Sequence, residues 1–469
     1  MTPMEAAQAT NGRWGPGTPA VEFTRFAIDS RAVTGGELFF AIAGPHHDGH
    51  DFLPDAIGRG AAAAVVSRAG SAAPAGTPLL QVPDTLAALQ TLSMHVRRRR
   101  PLRVAGITGS SGKTTAKELT AAAVGARFVT HRTPGNLNNA FGLPMALLAT
   151  PDDAEAAVLE MGMSTPGEIA RLAEIADPDV GAILNVGEAH REHFDSVDAI
   201  ADAKAELWAG MRSDATAVYN AGDPRVAERA ARFPGPRLSF GVDCDADVAA
   251  SGVQDDIVEG VRFHVRTRRA REGAGIEIRL RLYGRHNAAN ATAACAIALA
   301  MGIEPLEAAA ALAAVPPVAG RGVVERLGSG VVLVDETYNS NPTAMRAVLS
   351  SLRGTRWAGR RLVVAGDMLE LGGAASALHR LTGRLVAESG TAMLLAVGPL
   401  AAETAAGAKD AGLSDIHVFA DSAAAARALP GLLRANDLVV VKGSRGIGTE
   451  AAAAAVRAAF PAGTDGGRA

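Results

Sequence analysis

Cysteine is nearly missing from this 469-residue chain: Cys244 and Cys295 are the only two. That excludes a disulfide framework and a cysteine-rich metal site. A basic surplus is missing as well. Lys and Arg number 46 against 49 Asp and Glu, a formal net charge of −3, so phosphate-backbone binding is not the leading expectation and no nucleic-acid partner is expected. The one basic run, Arg97 to Arg100, is short and followed by Pro101. It reads as a solvated helix end and hinge. Apolar stretches such as Ala291 to Ala300 fall short of the roughly 18 residues that span a bilayer. Residues Met1 to Trp14 lack a basic segment followed by an apolar core, so no signal peptide is visible. The expectation is a soluble, cytoplasmic protein with no membrane insertion.

What is present is ample material for cores: 48% hydrophobic and 20% charged residues, too little polar bias for general disorder. At roughly 150 residues per domain the length suggests about three domains. The first, residues 1–100, is of mixed character, with a strand-like segment from Glu37 to Ala41. From Leu102 short apolar runs alternate with helical stretches. Arg103 to Ile107, Ala156 to Glu160 and Val180 to Asn185 read as buried parallel strands, each followed by polar or glycine-rich residues and then a helix. This predicts a central doubly wound parallel-sheet α/β domain over residues 101–318, with its ligand at the carboxyl ends of the strands. Strands at 331–334, 362–365, 393–397, 416–419 and 438–441, separated by alanine-rich helices, predict a Rossmann-like α/β domain over residues 319–469.

The strongest local signal opens the central domain: Gly106-Ile107-Thr108-Gly109-Ser110-Ser111-Gly112-Lys113-Thr114-Thr115. A strand enters, a glycine-rich turn follows, and Ala116 to Val124 reads as a helix. Such a turn points successive N–H groups at an anion on the positive end of a helix dipole. Lys113 supplies a charge for the outer phosphates, and the Thr114 hydroxyl is placed to ligate Mg²⁺. The usual spacing requires a glycine at 107, where Ile107 stands, so the turn is tighter than in GTPases. A second string, Gly443 to Gly448, lacks the further strand and acidic residue that a dinucleotide fingerprint needs, and reads instead as a substrate-facing helix start with Lys442 and Arg445.

Glu160 ends its strand where a nucleotide's Mg²⁺ would sit. His190, His193, Glu192 and Asp195 raise zinc as an alternative, without helical HExxH spacing; a single His190 assisting a second Mg²⁺ is the other reading. Lys204, in the amphipathic stretch Ile200 to Leu207, is by itself an ordinary surface lysine.

Taken together, several segments resemble the Mur ligase family along the whole chain. They are Asp29-Ser30-Arg31, Asp48 to Phe52, Thr108 to Thr115, Gly135 to Asn139, Leu184 to His190, Gly284 to Asn290, Gly320-Arg321, Asp335 to Pro342, Gly366 to Gly372 and Lys442 to Arg445. The tight phosphate loop is common to the family, folylpolyglutamate synthases included. The segments 335–342 and 366–372 select the branch that joins D-Ala-D-Ala to UDP-N-acetylmuramoyl-tripeptide in peptidoglycan precursor synthesis. The resemblance implies an ATP-dependent amide ligase of cell-wall biogenesis, monomeric, using ATP and two Mg²⁺ sites. Asp29, Ser30 and Arg31 would face the uridine diphosphate end of the substrate. Asn136, Asn138 and Asn139 would lie by the sugar–peptide. Gly109, Ser110, Ser111, Gly112, Lys113, Thr114 and Thr115 would hold the phosphates, Asn287 and Asn290 would reach adenine, and Arg321 and Asp335 would approach the nucleotide. Tyr338, Asn339 and Asn341 are candidates for the dipeptide. Thr114, Glu160, His190 and Lys204 would hold the metals, Lys204 as a carbamate formed with CO₂, and Lys113, Lys204 and His190 are the implied catalytic residues. Another amide ligase of the superfamily, and a regulatory ATPase that makes no bond, stay open here.

Overall fold

The computed structural model describes residues 1–44, 46–68, 73–188, 192–268 and 275–461. The chain divides into two compact units, one of Met1–Thr108, Arg127–Gly181 and Glu206–Thr216, the other of Gly109–Ala126, Ala182–Ala205 and Ala217–Ala469.

In the first unit a five-stranded sheet runs in the order Arg13–Trp14, Leu79–Gln81, Ala63–Val66, Leu38–Phe40, Phe26–Ala27. All its pairs are parallel except the first. Phe40, Val65 and Leu80 pack on one face with Leu89 and Leu92 of helix Thr85–Arg99; Phe39, Ala64 and Val66 pack on the other with Leu53. Burial on both faces explains why Ala63–Val66 is continuously apolar rather than alternating. Asp84 caps the long helix by accepting the Ala87 N–H at 2.8 Å, one of the orphan donors of a helix start. The same unit carries Arg103–Thr108, parallel to Ala156–Glu160, which is in turn parallel to Thr130–Arg132.

In the second unit Thr216–Asn220, Arg237–Val242 and Val248–Asp256 pair in parallel, and Gly260–Thr267 and Ile276–Leu280 extend them antiparallel. Helices Lys113–Gly125 and Arg285–Ala300 pack together through small residues. A six-stranded sheet follows in the order Val323–Arg326, Val332–Glu336, Leu438–Lys442, Arg361–Gly366, Met393–Val397, Ile416–Phe419, with only the first pair antiparallel. The last strand in the chain is therefore central. It brings Lys442 beside Glu336 and Gly366 at the carboxyl ends of the strands.

The architecture is the expected three-sheet α/β class, with local differences. The strand at Val180 stops at Ile183, which frees Asn185 for side-chain work. The helix after the glycine-rich turn starts at Lys113, three residues before Ala116. The antiparallel strands of residues 260–280 were not anticipated, although Val261, Phe263 and Val265 alternate inward with exposed Arg262, His264 and Arg266.

Candidate functional site

The glycine-rich turn is held open by residues outside it. Gly112 caps helix Lys113–Gly125 with φ +80°, a left-handed conformation, and a Cβ there would lie 2.6 Å from Asn290 Oδ1. Both facts demand glycine. Gly112 makes no side-chain cap bond to this helix, and the positive end of the helix dipole lies at the glycine-rich turn, as anion binding requires. Lys113 folds back, its ammonium donating to Gly109 O at 2.8 Å, and Thr114 is buried at the helix start.

Asn185 braces this loop. Its Oδ1 accepts from Ser111 N at 3.0 Å and Ser111 Oγ at 3.2 Å, and its Nδ2 donates to Ser111 O at 3.0 Å. Ser110 Oγ accepts from Gly187 N at 2.9 Å. Sequence reasoning assigned Asn185 no role. Its place just past a buried strand, two residues before Gly187, was the available signal.

Lys204 is 1% exposed, not a surface lysine. Burial, reinforced by the Lys113 charge, drives its ammonium well below the ordinary lysine range, which favours a neutral, nucleophilic amine. His190, with Ala189 and Arg191, lies outside the described residues.

Asn287 and Asn290 are buried. Asn287 Nδ2 donates to Tyr283 O at 2.7 Å, Asn290 Nδ2 donates to Asn287 Oδ1 at 3.0 Å, and Asn290 underlies Gly112. The structure thus gives this pair a packing role beneath the phosphate loop.

From the six-stranded sheet, Asn341 caps helix Pro342–Gly354 by accepting Ala344 N at 2.8 Å and reaches Ser110 O at 3.5 Å. Arg321 lies 3.9 Å and Arg445 5.2 Å from the Tyr338 ring centroid, so the phenol is flanked by two guanidiniums. Asp335 accepts from Arg457 Nη2 at 2.5 Å and from the Thr337 hydroxyl at 2.7 Å. Asn339 Oδ1 accepts from Ser340 N. Lys442 faces inward: it is buried, donating to Glu336 Oε2 at 3.1 Å and Asn339 O at 2.9 Å. A charge at the end of a central strand is tolerable only when paired, which is why it is not presented to substrate.

In the first unit Glu160 is buried and takes the Asn138 Nδ2 donor at 2.7 Å, while its own N–H donates to Thr133 Oγ1 at 3.1 Å. Asn139 Oδ1 accepts from Gly142 N at 2.9 Å at the start of helix Gly142–Leu148, and Asn136 is exposed. Asp29, Ser30 and Arg31 form a short helical turn. Asp29 accepts from Arg31 Nη2 at 2.7 Å, and that bond holds its carboxyl below the usual range. Arg31 is exposed and Ser30 buried.

Family models match three stretches of the chain: "Mur ligase family, catalytic domain" over residues 22–97, "Mur ligase middle domain" over 107–298, and "Mur ligase, glutamate ligase domain" over 321–445. The UDP-N-acetylmuramoyl-tripeptide–D-alanyl-D-alanine ligase of Bacillus subtilis is 33% identical over 90% of this chain and 91% of its own. Among solved structures, MurF from Acinetobacter baumannii matches with a TM-score of 0.88 and 32% identity, over 97% of this chain and 98% of that one. MurF from Thermotoga maritima in complex with ADP matches with a TM-score of 0.81 and 27% identity, over 93% and 98%.

Proposed function

The chain belongs to the Mur ligase family, and on that premise we propose that it joins D-alanyl-D-alanine to the carboxylate of UDP-N-acetylmuramoyl-tripeptide, consuming ATP in peptidoglycan precursor synthesis. The observation that carries the reading is the end-to-end match to relatives named for that reaction. The matched ranges 22–97, 107–298 and 321–445 support domains at 1–100, 101–318 and 319–469.

The substrate carboxylate attacks the γ-phosphorus of ATP, ADP leaves, and an acyl phosphate forms. The dipeptide amine then attacks the acyl carbon, the new amide forms as the C–O bond to phosphate breaks, and the amine proton is lost to solvent. Two anions meet in the first step, so the work is charge neutralisation and in-line positioning. Lys113 and the start of its helix, where the positive end of the dipole lies, suit the β- and γ-phosphates. Arg321 and Asp335 take the nucleotide from the six-stranded sheet, and Asn287 and Asn290 serve adenine. Tyr338, Asn339 and Asn341 serve the dipeptide; Ser30, Arg31, Asn136, Asn138 and Asn139 serve the UDP-sugar–peptide.

The oxygen donors Thr114 and Glu160 suit Mg²⁺, and His190 keeps the same proposed role. Bound Mg²⁺ supplies positive charge to the phosphates. Lys204 fits a carbamate: a buried amine whose charged form is disfavoured would attack CO₂, lose a proton, and become an anionic two-oxygen ligand. Among the described residues no helix is long and apolar enough to cross a membrane; the reading is completed by small-molecule substrates and a cytoplasmic, monomeric enzyme.

The test is phosphate release from ATP with UDP-N-acetylmuramoyl-tripeptide, with and without D-Ala-D-Ala, at raised bicarbonate. Release that needs both, with a UDP-pentapeptide seen by mass, is the expected result. Release indifferent to the dipeptide would return the chain to another branch of the family or to a plain ATPase.

A further inference from the structure

The strands of the six-stranded sheet end on one side and begin on the other. Glu336, Gly366 and Lys442 end their strands; Arg361, Ala392 and Asp437 lie where strands begin. At the side where strands begin is a cavity of about 470 Å³, lined by Trp357, Arg360, Arg361, Gly390, Arg434 and Asp437 among others. We propose that it is a binding site for a small phosphorylated ligand with a planar ring, separate from the nucleotide site.

The side chains there are not equally committed. Asp437 is saturated: Arg360 grips it with Nε at 3.0 Å and Nη2 at 2.6 Å, and Arg434 N donates to it at 2.7 Å. Arg360 is thereby neutralised. Arg361 has no carboxylate partner among the described residues. Its Nη2 donates to Thr355 O at 2.5 Å, and its Nε is buried out of reach of a ligand in the cavity, so Arg361 acts there through its charge and not through that donor. Gly390, at φ +76°, lets the guanidinium lie close; a Cβ there would meet Arg361 Nη1 at 2.7 Å. The exposed Arg434 guanidinium likewise has no ion-pair partner among the described residues. Two surplus positive charges on one cavity match a phosphate monoester dianion, and guanidinium forks suit its oxygens. Trp357 supplies an aromatic wall. Its indole is fixed by donation to Asn436 O at 2.8 Å and stands partly exposed, so a flat ring can stack on it without reordering the loop.

Trp357 is one of three tryptophans, so tryptophan fluorescence of the full chain reports the site once Trp357→Phe is subtracted. The probe is phenyl phosphate, with phenol and inorganic phosphate as partial ligands. The expected result is a saturable change that disappears in Trp357→Phe and weakens about tenfold in Arg434→Ala, the scale of one lost charge-assisted bond. Phenol gives none, and inorganic phosphate binds more weakly. Arg434 is exposed and outside the ligase machinery, so Arg434→Ala keeps its ligase rate without probe, which certifies its fold. No saturable change, a change that persists in Trp357→Phe, equal affinity in Arg434→Ala, or equal response to phenol or inorganic phosphate would each overturn the assignment.

Discussion

Lys204 shows what single residues contribute. Its folded-state affinity for protons lies below that of the unfolded chain, because burial and Lys113 oppose the charge. The unfolded state therefore binds the extra proton at pH values between the two, and stability rises with pH through that window. In bicarbonate-free buffer, wild type should lose stability as pH falls from about 10, by at most about 1.4 kcal/mol per pH unit. Lys204→Met should lack that slope, while losing ligase activity. Urea unfolding across pH checks this; parallel profiles would mean the lysine is not held neutral. Gly112 is the second case. Gly112→Ala must adopt φ +80° and press on Asn290, and a strain of about 1–3 kcal/mol corresponds to a loss of roughly 5- to 150-fold in kcat/KM for ATP. Adding Asn290→Ala should recover part of that loss by removing the contact but not the strained backbone. A double-mutant cycle in steady-state kinetics separates the two.

Among elements, helix Pro342–Gly354 depends on its cap residue for two things. Asn341 satisfies the Ala344 N–H and also reaches the phosphate loop at Ser110 O. Asn341→Ala should cost about 1 kcal/mol, as lost caps do, and also lower ligase activity. Asn341→Ser should keep most of the stability, because serine caps nearly as well, without restoring the reach to Ser110. Thermal unfolding paired with activity on both variants tests it; activity rising and falling only with stability would reduce Asn341 to a cap. The antiparallel strands at 260–280 teach a related lesson. Their period-two pattern is present in the residues, but alternation marks a sheet with one exposed face, whereas the strands read from the sequence are continuous apolar runs buried on both faces.

For the molecule as a whole, the buried cluster of Glu336, Lys442 and Tyr283 joins segments distant in sequence. Tyr283 Oη donates to Glu336 Oε1 at 2.7 Å, and Lys442 donates to Oε2 at 3.1 Å. Burial by itself would raise the Glu336 carboxyl, but Lys442, the Tyr283 hydroxyl and His286 together keep it below the ordinary value. A carboxyl lowered by folding stabilises above its unfolded pKa and loses that contribution as pH falls through the folded one. Acid unfolding of wild type below about pH 4.5 should therefore be steeper than that of Glu336→Gln. Lys442→Met, which strands a buried carboxylate, should cost about 3–5 kcal/mol at neutral pH. Chemical denaturation at several pH values checks both; an unchanged acid limb in Glu336→Gln would remove the carboxylate from the account.

Much of this protein is decided within short stretches of chain. Apolar pentads bounded by glycine define the parallel strands, and Gly109 to Thr115 announces an anion-binding turn, because hydrophobic burial and backbone conformation act over a few residues. The tertiary structure decided what depends on partners far away. Lys204 looks like a solvated lysine until packing removes its water, and Lys442 looks substrate-facing until Glu336 is found beside it. Asn185 and Asn290 gain meaning only when Ser111 and Gly112 are brought against them. Desolvation and pairing are properties of the folded surroundings, and no local pattern of residues encodes them.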